Sequence, residues 1–223
     1  MTDAITWTRV QTYLEELVPP RHDELRAMEA RARSAHFPII GPACGQLCYQ
    51  LARTIRAQRV FELGSGFGYS TAWFAMAVRD NGGGSVHHVV WDEQLSTEAR
   101  SRLARMGLSK HVQFHVAEAV QTLRNADGPF DIIFNDIDKD GYPAALDVIE
   151  RKLKPGGLLI VDNLLWHGRV LDDADQSGAT RGVRELTRRV FGDLNWIPSI
   201  VPIRDGMLVA TRRPADIIPT RLA

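Results

Sequence analysis

Short apolar runs separated by amphipathic stretches recur from residue 59 to about residue 191. The runs near 59–63, 86–91, 112–116, 131–136 and 157–161 have strand length, and Val86-His-His-Val-Val-Trp91 and Leu158-Leu-Ile-Val161 are the clearest. The stretches near 70–79, 95–106, 118–125, 142–152 and 180–191 read as helices. Such alternation predicts a parallel α/β sheet covered by helices on both faces, because parallel strands need crossover connections. The end of the chain breaks the rhythm. Trp196 to Ile203, the turn Arg204-Asp-Gly206 and Met207 to Arg212 give a hairpin signal, so the sheet is expected to finish in antiparallel strands.

Upstream, residues 4–33 suggest two helices broken at Pro19-Pro20, the second running from Arg21 to Arg33. The loop His36 to Pro42 then leads into a helix from about Ala43 to Arg56. The chain therefore reads as one domain, 1–223, with 1–38 as a helical appendage that covers a domain edge or helps to form a homodimer. There is no internal repeat, and Asn81-Gly-Gly-Gly-Ser85 reads as a flexible loop.

Composition narrows the function classes. Hydrophobic residues at 44% and charged residues at 24% are those of an ordinary globular protein, and 223 residues suffice for a full core. Lys+Arg and Asp+Glu balance at 27 each, which offers no positive sign of nucleic-acid or membrane binding, although a local patch is compatible with it. Cys44 and Cys48 lie four apart on one expected helix, where disulfide geometry is rare, and they read as buried small hydrophobes suited to a reducing cytoplasm. No run of about 18 apolar residues and no charged-then-apolar leader is present, so neither a membrane span nor secretion is expected.

The chemistry gathers at the strand ends. Val60-Phe-Glu-Leu-Gly-Ser-Gly-Phe-Gly-Tyr-Ser70 is a strand ending in an acid, a loop with glycines at 64, 66 and 68, and a helix that Ser70 could cap. Bare main chain at Gly64, Ser65 and Gly66 suits a nucleotide-like cofactor. The third glycine comes one position too early for the dinucleotide fingerprint. Glu62 would repel a pyrophosphate but attract the ammonium of a methionine moiety. At neighbouring strand ends, Asp136, Asp162 and Asn163 offer only oxygen donors, a set that suits a hard divalent cation; each acid taken singly could instead be a turn or helix cap. Lys139, three residues past Asp136, can reach the same mouth and act as a general base, or be a solvated loop lysine. His167 reads as a pocket wall or surface residue, and His87 and His88 as structural.

Taken together these motifs resemble the cation-dependent O-methyltransferases, the group containing catechol O-methyltransferase and the plant caffeoyl-CoA O-methyltransferases. The likeness runs from about Ile40 to Arg212. It includes Gly41-Pro42-Ala-Cys-Gly45-Gln46-Leu47, Glu62 to Ser70, Phe130 to Lys139, Pro155 to Trp166 and Pro202-Ile-Arg-Asp-Gly206. It implies a Rossmann-like class I methyltransferase fold with a seven-stranded, mostly parallel sheet and a C-terminal antiparallel hairpin. It also implies S-adenosylmethionine (SAM) as cofactor, and Mg²⁺ or another divalent ion such as Ca²⁺ or Mn²⁺ at Asp136, Asp162 and Asn163. Lys139 would help deprotonate the acceptor hydroxyl. Glu62, Gly64, Ser70 and the backbone near Ile40 would hold the methionine part, and Ala119 would lie by the adenine. The family's ribose-binding acid at the end of strand 2 aligns with Val90, and Asp92 two residues later is the candidate replacement. Asn135 and Ile137 also depart from the family pattern.

The expected activity is metal-assisted transfer of a methyl group from SAM to a hydroxyl of a small phenolic acceptor with neighbouring oxygens. Two rivals stay open. One is methylation of a hydroxylated tRNA nucleoside, which a basic stripe of Arg21, Arg26, Arg31 and Arg33 would favour. The other is a SAM-binding protein without turnover.

Overall fold

A computed structural model describes residues 6–214. The apolar runs form β1 (Arg59–Leu63), β2 (Ser85–Val90), β3 (Val112–Val116), β4 (Phe130–Asn135) and β5 (Leu153–Val161), followed by β6 (Trp196–Val201) and β7 (Met207–Arg212). All seven share one sheet in the order β3-β2-β1-β4-β5-β7-β6. Pairing is parallel from β3 through β5, and β7 runs antiparallel between β5 and β6. This is the class I methyltransferase topology. The strand order reverses between β1 and β4, and at such a switch point the crossover helices diverge and leave a crevice at the carboxyl ends of the strands.

The helices are α1 (Trp7–Glu16), α2 (Asp23–Ser34), α3 (Gly41–Thr54), α4 (Tyr69–Asp80), α5 (Glu93–Arg105), α6 (Ala119–Asn125), α7 (Tyr142–Lys152) and α8 (Gly178–Gly192). Because strand side chains alternate, Val60, Ile132, Phe134 and Ile160 pack under α3 and α4, while Phe61, Leu63, Ile133 and Val161 pack under α6, α7 and α8. Cys44 and Cys48 are free thiols buried in the first of these layers. His87 and His88 are likewise buried, on β2. Among the described residues no helix is long and apolar enough to cross a membrane.

Two local features differ from the sequence expectation. The fifth strand, expected near 157–161, already begins at Leu153, pairs with Phe130 there, and absorbs Gly156 and Gly157 through a register shift before Ile132. Helix α4 starts at Tyr69 behind Gly68, which takes a left-handed φ of 90°. Ser70 is therefore not the helix cap but a buried member of the first turn.

The N-terminal helices are tied to this frame by charge; the expected helix start at residues 4 and 5 lies outside the described residues. Glu29 of α2, buried, receives two hydrogen bonds from Arg21 at 2.7 and 2.6 Å and one from the Tyr69 hydroxyl at 2.8 Å. Removing Arg21 would strand a buried charge, a loss of about 3–5 kcal/mol. Arg102 on α5 reaches Glu24 at 2.7 Å, and Arg31 reaches Glu98 at 3.0 Å.

Candidate active site

An open cavity of about 1800 Å³ lies over the carboxyl ends of β1, β2, β4 and β5. A drug-sized ligand fills roughly 300–1,000 Å³, so this space takes a nucleoside cofactor and a second molecule together. Its floor is the loop after β1. Gly64, at a φ of 86°, lies so close to β4 that a Cβ there would sit 2.6 Å from the carbonyl oxygen of Asp136. Only glycine permits that approach, and the Asp136 amide closes it by donating to Leu63 O at 2.9 Å. Ser65 fastens the other side: its amide donates to Val89 O at 2.9 Å, and its hydroxyl accepts from the Val89 amide at 2.9 Å.

Glu62 lies directly beneath this loop and is fully buried. Burial pushes its carboxyl up to about 7, against the pull of the Ser70, Thr71 and Ser65 hydroxyls. Thr71 donates to Oε2, while Oε1 has no hydrogen-bond partner. The Thr71 oxygen also meets His88 Nδ1 at 3.0 Å, so the carboxylate, the hydroxyl and the imidazole form one buried chain. A buried acceptor without a donor costs about 1–3 kcal/mol, which a cationic ligand above the loop would offset.

On the far side of the loop stand the two acids. Asp136 follows β4 and Asp162 follows β5. Burial raises both carboxyls above the usual range; the negative charge of Asp136 adds to the shift at Asp162, and Lys139 opposes the shift at Asp136. Asp162 Oδ1 is buried without a partner, and the Tyr142 hydroxyl fixes the strand end by donating to Asp162 O at 2.8 Å. Lys139 Nζ donates to Asp136 Oδ1 at 2.8 Å and to Ile137 O at 3.1 Å. Among the described residues no group of three or more His, Cys, Asp or Glu could hold a metal; the set here is two carboxylates plus the amide of Asn163, all lining one cavity. An unpartnered buried carboxylate oxygen and an all-oxygen donor set fit a hard divalent cation.

The outer wall comes from three distant segments. Helix α1 contributes Trp7, Gln11 and Glu15, the segment after β5 contributes Trp166 and His167, and the β6–β7 turn contributes Arg204 and Asp205. Trp7 Nε1 donates to Arg204 O at 3.1 Å, the Arg204 amide donates to Gln11 Oε1 at 2.5 Å, and the Arg204 guanidinium donates to Ile39 O. The N-terminal appendage is thus a wall of the cavity.

Of the residues singled out from sequence, Gly64, Gly66, Ala119, Asp136, Lys139, Asp162 and Asn163 line the cavity. Glu62, Ser65, Ser70 and Ile40 are buried just behind the walls, and Ile39 lines it in place of Ile40. Asp92 is elsewhere. Its Oδ1 accepts from the amides of Gln94 and Leu95 at 2.7 and 3.0 Å as the cap of α5, whereas Val90 and Trp91 face the cavity. An acid just after a strand has the same sequence signature in either task, which is why the helix cap was not separable from a ribose contact. Trp7, Gln11 and Ile39 carry no local signal in the sequence, and Arg204 and Asp205 carry only that of a turn and a family-like run, with no site role.

Comparison with known proteins agrees with this fold. The O-methyltransferase family model matches residues 15–213. A catechol O-methyltransferase of Niastella koreensis is 32% identical over 183 residues, 79% of this chain and 82% of that protein. A catechol O-methyltransferase of Mycobacterium tuberculosis is 32% identical over 181 residues, 79% and 81% of the two chains. The crystal structure of an O-methyltransferase from Streptomyces achromogenes, involved in tomaymycin synthesis and complexed with SAM, superposes with a TM-score of 0.84 at 26% identity, covering 96% of this chain and all of that one. With a family model spanning nearly all the described residues, the chain belongs to the O-methyltransferase family.

Proposed function

We propose that this protein transfers a methyl group from SAM to one hydroxyl of a small acceptor with two neighbouring oxygens, such as a catechol, with the help of a divalent cation. The observation that carries the reading is the convergence of Asp136, Asp162, Asn163 and Lys139 on one mouth beside the glycine loop. The catechol O-methyltransferase relatives and the SAM-bound structural neighbour support it.

In this reading the backbone at Gly64 and Gly66 receives the methionine part of SAM, and the charge of Glu62 beneath the loop attracts its ammonium. Ala119 lies by the adenine. The ribose meets the end of β2 at Val90 and Trp91 rather than Asp92. Asp136, Asp162 and Asn163 would hold Mg²⁺ or a similar ion, which when bound supplies Lewis-acid stabilisation of a phenolate. Lys139 is the base that takes the proton of the acceptor hydroxyl. The oxygen keeps the O–H pair and displaces the sulfonium sulfur at the methyl carbon, leaving S-adenosylhomocysteine. Holding oxygen and methyl in line about 3 Å apart supplies roughly 7–11 kcal/mol of the rate acceleration, and the rigid strand ends are suited to that task.

The basic stripe required for a tRNA acceptor is largely spent on internal pairs: Arg21 with Glu29, Arg26 with Asp23 and Arg31 with Glu98. A small acceptor is therefore favoured. The test is turnover of labelled SAM with Mg²⁺ against catechols, caffeoyl thioesters and tRNA lacking the wobble modification. Catechol methylation that stops in excess chelator, and in Asp162→Ala while SAM still binds, is expected. Full activity in chelator would sink the metal-assisted reading.

A further inference from the structure

The segment after β5 is held in an unfavourable backbone shape by something outside itself. Asn163, Trp166 and His167 all take left-handed φ values, 60°, 45° and 53°, within five residues. Non-glycine residues in that region are strained and persist only where the surroundings determine them. The surroundings here are the turn between β6 and β7. Leu164 N donates to Gly206 O at 2.9 Å, Leu165 N to Asp205 O at 2.8 Å, His167 N to Asp205 Oδ1 at 2.6 Å, and Asn163 Nδ2 to Asp205 Oδ2 at 3.3 Å.

The last two bonds use opposite oxygens of one carboxylate, and this has a chemical consequence. A carboxylate accepts only, so it draws the NH₂ end of the Asn163 amide and turns the carbonyl oxygen away from itself. Asn163 stands in the cavity wall next to Asp162, whose Oδ1 lacks a partner. We propose that Asp205 is a positioning residue that fixes the Asn163 amide so that its carbonyl oxygen, not its nitrogen, is presented beside Asp162 and Asp136 to a divalent cation. Asn163 is otherwise free to offer either end, and an NH₂ group directed at a cation would repel it. The inference rests on the metal-assisted reading above and adds to it a residue some forty positions along the chain that touches neither the reacting atoms nor the ion.

The sharpest test exchanges the two side-chain types. In Asp205→Asn, the new amide must still accept from His167 N, so its NH₂ faces Asn163, which then turns its own oxygen inward and away from the cavity. In the double variant Asn163→Asp with Asp205→Asn, the amide at 205 donates to the carboxylate at 163 while its oxygen keeps His167 N, and a carboxylate oxygen is again free for the ion. Mn²⁺ alone is titrated calorimetrically into the full chain without acceptor, and SAM affinity is measured separately without metal. Loss of an orienting partner of this kind typically lowers metal affinity by about 10–100-fold. That loss is expected for Asp205→Asn with SAM affinity within about twofold of the parent, together with recovery of Mn²⁺ affinity in the double variant. A Mn²⁺ affinity unchanged in Asp205→Asn, equal losses for Mn²⁺ and SAM, or a double variant no better than the single one would overturn the assignment. If Asp205→Asn loses its melting transition, the double variant decides: a folded double variant that binds Mn²⁺ as the parent does supports the exchange, and one that does not overturns it. A parent chain that takes up no Mn²⁺ at millimolar concentration overturns the metal reading itself, a result distinct from all of these.

Discussion

The inner wall of the cavity, at the ends of β1, β4 and β5, is made of residues locked by strand pairing and by loops in backbone contact, as at Gly64 and Asp136. The outer wall, made of α1 and the segments around Trp166 and Arg204, is held by a handful of hydrogen bonds between distant residues; α1 buries none of its residues fully, and Tyr13 and Leu17 are about 60% exposed. The contrast assigns different work to the two. The inner wall can fix reacting atoms within tenths of an ångström, whereas the outer wall can change shape or sequence without disturbing the sheet. In the proposed reading the chemistry belongs to the first, supported from the second by Asp205, and the choice of acceptor belongs to the rest of the second.

The largest expected effect is at the inner wall. Lys139→Met should lower kcat by about 10²–10⁴-fold, the usual worth of general-base help, with SAM affinity nearly unchanged. The loss should shrink for acidic acceptors such as nitrocatechols, read from steady-state rates across a series of acceptor pKa values. Equal losses across that series would make Lys139 a structural residue.

Next in size is a pH effect at Glu62, whose carboxyl is raised from 4.5 to about 7 in the fold. Below pH 4.5 it is protonated in the folded and unfolded chain alike and has no effect on stability. Between 4.5 and about 7 the unfolded chain ionises first, so stability falls as pH rises, and above that the loss levels off. The full difference is on the order of 3 kcal/mol. Glu62→Gln cannot ionise, so in ligand-free melts the parent should lose stability relative to this variant across that window. Parallel pH profiles would refute the shift.

How much of this was legible beforehand divides along the same line. The strands, the glycine loop and the placing of Asp136, Asp162, Asn163 and Lys139 just past neighbouring strands were readable because short apolar runs and the residues that end them are local signals. Trp7 and Gln11 were not, because their partner Arg204 lies 197 and 193 residues away, and no spacing rule spans that distance. Ser70 is not the cap because Gly68 takes the cap position two residues earlier, in a left-handed conformation that the serine cap rule does not consider. Asp92 has no local feature that separates its two possible tasks, and the fold shows it at work as the cap of α5. Asp92→Ala should therefore lower stability by about 0.5–2 kcal/mol, the worth of a helix cap, with SAM affinity unaltered in calorimetry.

The smallest expected effect is at the outer wall. Trp7→Ala removes the contact with Arg204 and should raise the acceptor KM a few-fold, with kcat and SAM affinity held, since one exposed hydrogen bond is worth about 1 kcal/mol. A collapse of kcat in this variant would erase the distinction between the walls.

The bond from Trp7 to Arg204 joins the two extremities of the described chain across the mouth of the cavity. Synthesis of the two partners is separated by 197 residues. The glycine loop and both acids precede residue 204 in the chain, so every residue of the cofactor floor is made before the last segment of the outer wall, and the Trp7 bond closes the mouth only after that segment is in place.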